Sequence, residues 1–155
     1  DSVGRASEPM GIMARSFPED TYDETAFRFL LESEFKRSAR SGHTYQVLLV
    51  FRTASHGAVD SLESHVAVTV MSAMSRCLRE TDYIGWYRHG HIIGGVLTVI
   101  ENGAAEGVVN QLQTRLLETL QAELGVEAAG KLQIRVCSHK ELEKVDSAGK
   151  LFHAH

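Results

Sequence analysis

A chain of 155 residues suits one domain of ordinary size, and such a domain buries roughly 68–70% of its unfolded surface, so it needs no staples. Hydrophobic residues at 43% and charged residues at 23% exclude a disordered or low-complexity chain, and a net charge of −4 excludes a general pull toward nucleic acid or anionic membrane. No apolar run approaches the length of a membrane span, the first residues lack the charged-then-apolar pattern of a secretion leader, and Cys77 and Cys137, standing singly in apolar segments, read as reduced core thiols.

Residues 1–20 carry Gly4, Ser7, Pro9, Gly11 and Pro18 without an apolar period, and read as a flexible arm or linker. Asp1 is not an initiator Met, so a piece of a longer chain is expected. Residues 21–155 read as a single domain. Thr21-Tyr22-Asp23-Glu24 fits a capping box. Phe27, Leu30, Leu31 and Phe35 follow at helical spacing, with Glu32, Glu34, Lys36 and Arg37 mainly on other faces. Arg40 and Ser41-Gly42 close this helix.

Tyr45 to Phe51 is nearly all apolar and predicts a strand covered on both faces. Thr53 to Asp60 reads as a loop around Gly57. A second helix is predicted from about Ser61 to Arg79, with the stripe Val66, Val70, Met71, Met74, Cys77 and Leu78. Asp82–Tyr87 and His91–Val99 predict a hairpin turning at His89-Gly90. A third helix, about Ala104–Leu124, carries Val109, Leu112, Leu116, Leu117, Leu120 and Leu124, and Gly125 stops it. Lys131–Cys137 alternates as a strand; a short helix is expected from Lys140 to Val145, then a polar tail.

The order β-α-β-β-α-β after one extra helix predicts an α/β (α+β) fold with a ferredoxin-like core. Right-handed crossovers place its four strands in the order 4-1-3-2, with both crossover helices on one face. The extra helix from Asp23 is expected at the domain's edge or in pairing, where Phe27, Leu31, Met71 and Met74 are candidates to face a partner. Such a fold hosts many functions and names none.

Particular residues resemble the GGDEF diguanylate cyclase domain, a nucleotide-cyclase palm fold. They are the Phe27–Arg37 run, the strand Val47-Leu48-Leu49-Val50, and Arg79-Glu80-Thr81-Asp82 at the end of the second helix. Six residues after Asp82 the family begins its Gly-Gly-Asp/Glu-Glu-Phe turn; here stand Arg88, His89, Gly90 and His91. The resemblance covers about residues 23–137. It implies carboxylates at the end of the first strand and in the turn, holding two divalent ions against GTP. Phe51-Arg52-Thr53 and Gly90-His91 occupy those positions, and the loop Thr53–Asp60 lacks the family's phosphate- and guanine-contacting stretch. The expectation is therefore a degenerate, non-catalytic domain without a cofactor. It would act in bacterial cytoplasmic signalling or scaffolding through a protein partner, with homodimerisation as one form.

The alternative implied by the resemblance is a cyclic di-GMP receptor. Arg79 would grip phosphate and guanine edges and Asp82 would accept from guanine. Against it stands a structural reading, with Arg79 favouring a helix C-terminus and Asp82 organising a turn. His89 and His91, like His153 and His155, alternate as a two-His zinc pair would, but surface turn histidines fit better. Trp86 and Tyr87 should face opposite sides of the sheet, one exposed; without a basic signature this gives no nucleic-acid polymer as partner. Gly94-Gly95 inside an apolar strand points to a bulge or a close helix approach.

Overall fold

The computed structural model describes residues 17–18, 20–98 and 105–142. Most of the expected arm and the tail after residue 142 lie outside these, as do His153 and His155. The element order is β1 (Thr21–Tyr22), α1 (Glu24–Ser41), β2 (Tyr45–Thr53), β3 (Val59–Asp60), α2 (Ser64–Cys77), β4 (Tyr83–Arg88), β5 (Ile92–Thr98), α3 (Ala105–Leu124), α4 (Val126–Gly130) and β6 (Leu132–Cys137).

The predicted four-strand order holds: β6 and β5 both pair antiparallel with β2, and β4 pairs antiparallel with β5. Two further strands, each of two residues, extend this sheet. β1 joins the outer edge of β4 in parallel. β3 pairs Arg52 and Thr53, just beyond Phe51 where β5 leaves off, so the expected Thr53–Asp60 loop is a short hairpin.

Helix α1 is capped by Asp23, whose carboxylate accepts from the Ala26 N–H at 2.8 Å. This corrects the capping box expected from Thr21: that residue is committed to β1 opposite Ile84, and its hydroxyl donates to the Pro18 carbonyl. At the other end Gly42, at φ 80°, adopts the left-handed conformation that a helix stop needs, and its N–H returns to the Ser38 carbonyl. A capping box does occur later. Ser138 Oγ accepts from the Glu141 N–H and the Glu141 carboxylate accepts from the Ser138 N–H, opening a helical turn at His139.

The sheet is covered on both faces. Met71, Met74, Leu116 and Leu120 from α2 and α3 pack on Leu48, Val50, Trp86 and Ile93. Phe27 and Leu31 of α1 pack on the opposite side with Val47, Leu49, Tyr87, Ile92 and Val96. Helix α1 is thus core structure, not an edge element, and Phe27, Leu31, Met71 and Met74 are all buried, which withdraws them as partner-facing candidates. Trp86 and Tyr87 do face opposite sides, but both are buried. Leu117, expected in the α3 stripe, points outward.

Missing side chains on the sheet let the helices approach. A Cβ on Gly94 would lie 2.8 Å from the Phe27 ring, and one on Gly85 would lie 2.5 Å from the Tyr22 carbonyl oxygen. On the other face a Cβ on Gly95 would meet Leu78 and Met74 at 3.0 Å. The close helix approach anticipated for Gly94-Gly95 therefore occurs from both sides. The register shift lies in β4, between Trp86 and Arg88. Burial pushes the Cys137 thiol pKa up, and both cysteines are free. No described helix is long and apolar enough to cross a membrane.

Candidate functional site

The β4–β5 tip carries Arg88, His89, Gly90 and His91. Gly90 takes φ 76°, which a side chain would resist, and the His91 N–H closes the turn on the Arg88 carbonyl at 3.0 Å. Helix α1 clamps this tip. The Glu24 carboxylate accepts from the His89 N–H at 2.7 Å, and Arg28 Nε donates to the Tyr87 carbonyl at 2.9 Å while its guanidinium lies 4.2 Å from the centre of the Tyr87 ring. His91 Nδ1 donates to the His89 carbonyl, and the His89 ring leans toward Trp86.

The segment before α2 closes against the same tip, with the Leu62 N–H donating to the Gly90 carbonyl at 2.8 Å. Arg52, at the end of β2, donates to the Ser61 carbonyl at 2.8 Å and stands 3.4 Å from the Asp60 carboxylate. A guanidinium paired with the Asp60 carboxylate thus occupies the strand end beside the tip. Among the described residues no three His, Cys, Asp or Glu side chains are grouped to hold a metal ion.

Arg79 and Asp82 are brought together by the turn between α2 and β4. Asp82, its side chain 4% exposed, accepts from the Arg79 N–H (2.9 Å), the Thr98 N–H (3.1 Å) and the Thr98 hydroxyl (3.4 Å). The Arg79 guanidinium, 56% exposed, donates to the Thr98 carbonyl and lies 3.7 Å from Asp82. The pair fastens the turn to the end of β5, and Asp82 has little acceptor capacity left. Only Arg79 offers donors outward.

A third cluster has no counterpart among the expected site residues. Glu34 is 1% exposed, although its charge suggested an outer face. Its position seven residues after Phe27 and three after Leu31 places it on the buried stripe, which was the available signal. One carboxylate oxygen accepts from Arg37 at 2.6 Å and the other meets His43 Nε2 at 2.7 Å. Tyr83 first, and then Glu34, raise the Arg37 guanidinium above its ordinary pKa. His43 Nδ1 contacts Ser41 Oγ at 2.5 Å, and that hydroxyl also bonds the Arg37 carbonyl. This serine–histidine–carboxylate chain ends where the helix gathers carbonyl groups, an unsuitable place to stabilise an oxyanion. Phe35, expected on the apolar stripe, stacks instead on His139 at 3.8 Å.

No protein-family model and no curated protein sequence matches the chain. Solved structures do. A DGC protein from Thermotoga maritima superposes with a TM-score of 0.62 at 16% identity, covering 86% of this chain and 96% of that one. Diguanylate cyclase SiaD from Pseudomonas aeruginosa, solved in complex with its activator SiaC, gives 0.54 at 18% identity over 83% of this chain and 51% of its own. The GGDEF domain of YfiN (TpbB) from Pseudomonas aeruginosa gives 0.54 at 14% identity, covering 78% and 74%. The chain has the GGDEF-like fold of these diguanylate cyclase structures.

Proposed function

We propose that the chain is a non-catalytic signalling or scaffolding domain derived from the diguanylate cyclase fold, acting through protein contacts in the bacterial cytoplasm. The observation that carries this reading is the chemistry of the tip. Arg88, His89, Gly90 and His91 bring no carboxylate there, and Arg52 puts a cation at the adjoining strand end. Two divalent ions need free oxygen ligands and a negative field at that place, and the Asp60 carboxylate beside the strand end is already paired to the Arg52 guanidinium. The Leu62–Gly90 hydrogen bond further ties the segment before α2 to the tip. That SiaD was solved with an activator protein fits a protein partner for this chain as well. Incubation with GTP and Mg²⁺ or Mn²⁺ tests the reading: no cyclic di-GMP is expected, and turnover above a no-protein blank would overturn it. Sedimentation across a concentration series tests self-association; a mass independent of concentration and equal to one chain removes the homodimer and leaves a different protein as partner.

A second reading, a cyclic di-GMP receptor, is favoured by the outward Arg79 guanidinium, held at a helix end beside Asp82. Because Asp82 is nearly covered, recognition would fall mostly on Arg79 and would require it to loosen its bond to Thr98. Calorimetric titration of cyclic di-GMP into the unmodified protein and Arg79→Ala tests this. Saturable heat lost in the variant supports it, and no heat at high micromolar ligand ends it.

A further inference from the structure

We propose that the cleft between the C-terminal half of α1 and the α2–β4 turn binds a small zwitterion of the α-amino acid class. The cleft has a volume of about 540 Å³ and is lined by Glu34, Arg37, His43, Glu80, Thr81, Tyr83 and Thr98. Small-molecule sites typically span roughly 300–1,000 Å³.

Glu34 explains why the cleft is a site and not a surface dent. Burying a carboxylate is expensive, and an apolar residue on the same stripe would hold α1 to the sheet as well. Glu34 instead gives one oxygen to Arg37 and the other to His43, two side chains that line the opening. The buried acid thus orients two nitrogen-bearing groups, as supporting residues do in preorganised sites. Arg37 remains 54% exposed, and a guanidinium has donors to spare after its bonds to Glu34 and Tyr83. Its planar fork matches a carboxylate.

The charge balance selects the ligand. Glu34 is engaged by its own neighbours, while across the cleft Glu80 is exposed and has no ion-pair partner among the described residues. Arg37, paired to Glu34, therefore offers spare hydrogen-bond donors, while Glu80 offers an unpaired negative charge. A phosphate dianion would meet the unpaired Glu80 carboxylate, and a simple cation would leave the spare Arg37 donors unused. A molecule carrying one carboxylate and one ammonium satisfies both. Thr98 serves only as wall, because its hydroxyl already faces Asp82 and the Thr81 carbonyl. Arg79 and Asp82 do not line the cleft, so this inference stands apart from the cyclic di-GMP reading.

Calorimetry with a panel of common L-amino acids tests the proposal, with acetate and methylamine as single-charge controls. At least one amino acid should give saturable heat that neither control gives. Arg37→Gln and Glu80→Gln should each weaken that binding at least about tenfold, the loss of one charge-assisted bond. Both side chains are exposed, and far-UV circular dichroism checks that each variant is folded; Arg37→Lys, which keeps the charge and loses the fork, replaces Arg37→Gln if the latter does not fold. Absence of saturable heat with every amino acid overturns the proposal. So does binding that survives either substitution, since a zwitterion needs both partners.

Discussion

Replacing Gly94 by alanine adds one methyl group at a crowded point of the sheet. Its carbon would stand 2.8 Å from two atoms of the Phe27 ring and 3.4 Å from Tyr87 Cβ. Phe27 is fully buried and has no open space to swing into. Overpacking of this kind costs about 1–3 kcal/mol. Removing a strand glycine returns roughly 0.5–1 kcal/mol in backbone entropy. The middle of both ranges gives a net loss of about 1 kcal/mol, or roughly 2–4 °C in Tm for a domain of this size. Urea unfolding followed by circular dichroism at unchanged m-value measures it. The cause is isolated by repeating the change in Phe27→Leu, where the ring is gone. There Gly94→Ala should be neutral or stabilising, a coupling well above the few tenths of a kcal/mol seen for independent sites. If Gly94→Ala leaves the Phe27 protein as stable as before, or is equally harmful in both backgrounds, the socket explanation of how α1 docks is wrong.

Gly85→Ala should be harsher, because its neighbour is the Tyr22 carbonyl; loss of amide protection in β1 by hydrogen exchange would report the strand's detachment, and retained protection would count against the pairing. Asp82→Ala leaves the Arg79 and Thr98 amides without their acceptor and should cost about 1–3 kcal/mol in chemical unfolding; an unchanged midpoint would remove the turn-lock role. The Cys137 thiol, raised by burial, favours the protonated form in the folded state. Its contribution to stability is therefore complete below the ordinary thiol pKa and is lost as pH rises through the elevated one. Accordingly Cys77 should be alkylated before Cys137 in native protein at mildly alkaline pH, and the reverse order by peptide mapping would contradict the placement.

The long elements were legible because each carries a period that its packing uses. Met71, Met74, Leu116 and Leu120 recur at helical spacing and all reach the core. What escaped had no period to read. β1 and β3 are two residues each and exist only because β4 and the end of β2 offer unpaired edges. α4, five residues long, fills the corner before β6, where Ala129 is buried. The position of α1 depends on Gly85 and Gly94, whose socket role appears only once β4 and β5 are paired. Glu34 is not among the stripe residues Phe27, Leu30, Leu31 and Phe35 that the sequence shows, yet it is buried. Its neighbours Arg37 and His43 supply the counter-groups that make burial tolerable, and a helical stripe does not show them. Of the expected site residues, Arg79 and Asp82 do meet, but their meeting is largely an internal fastening.

The fastening between Glu24 and His89 spans 65 residues of sequence and joins the first turn of α1 to the far tip of a hairpin. Since Thr21 and Tyr22 also run alongside Ile84 and Gly85 in the same hairpin, any mechanical load entering from the residues upstream reaches β4 twice. It acts along its edge as shear and at its apex through one carboxylate. The entrance to the domain and the tip of this hairpin are thus mechanically linked at two places.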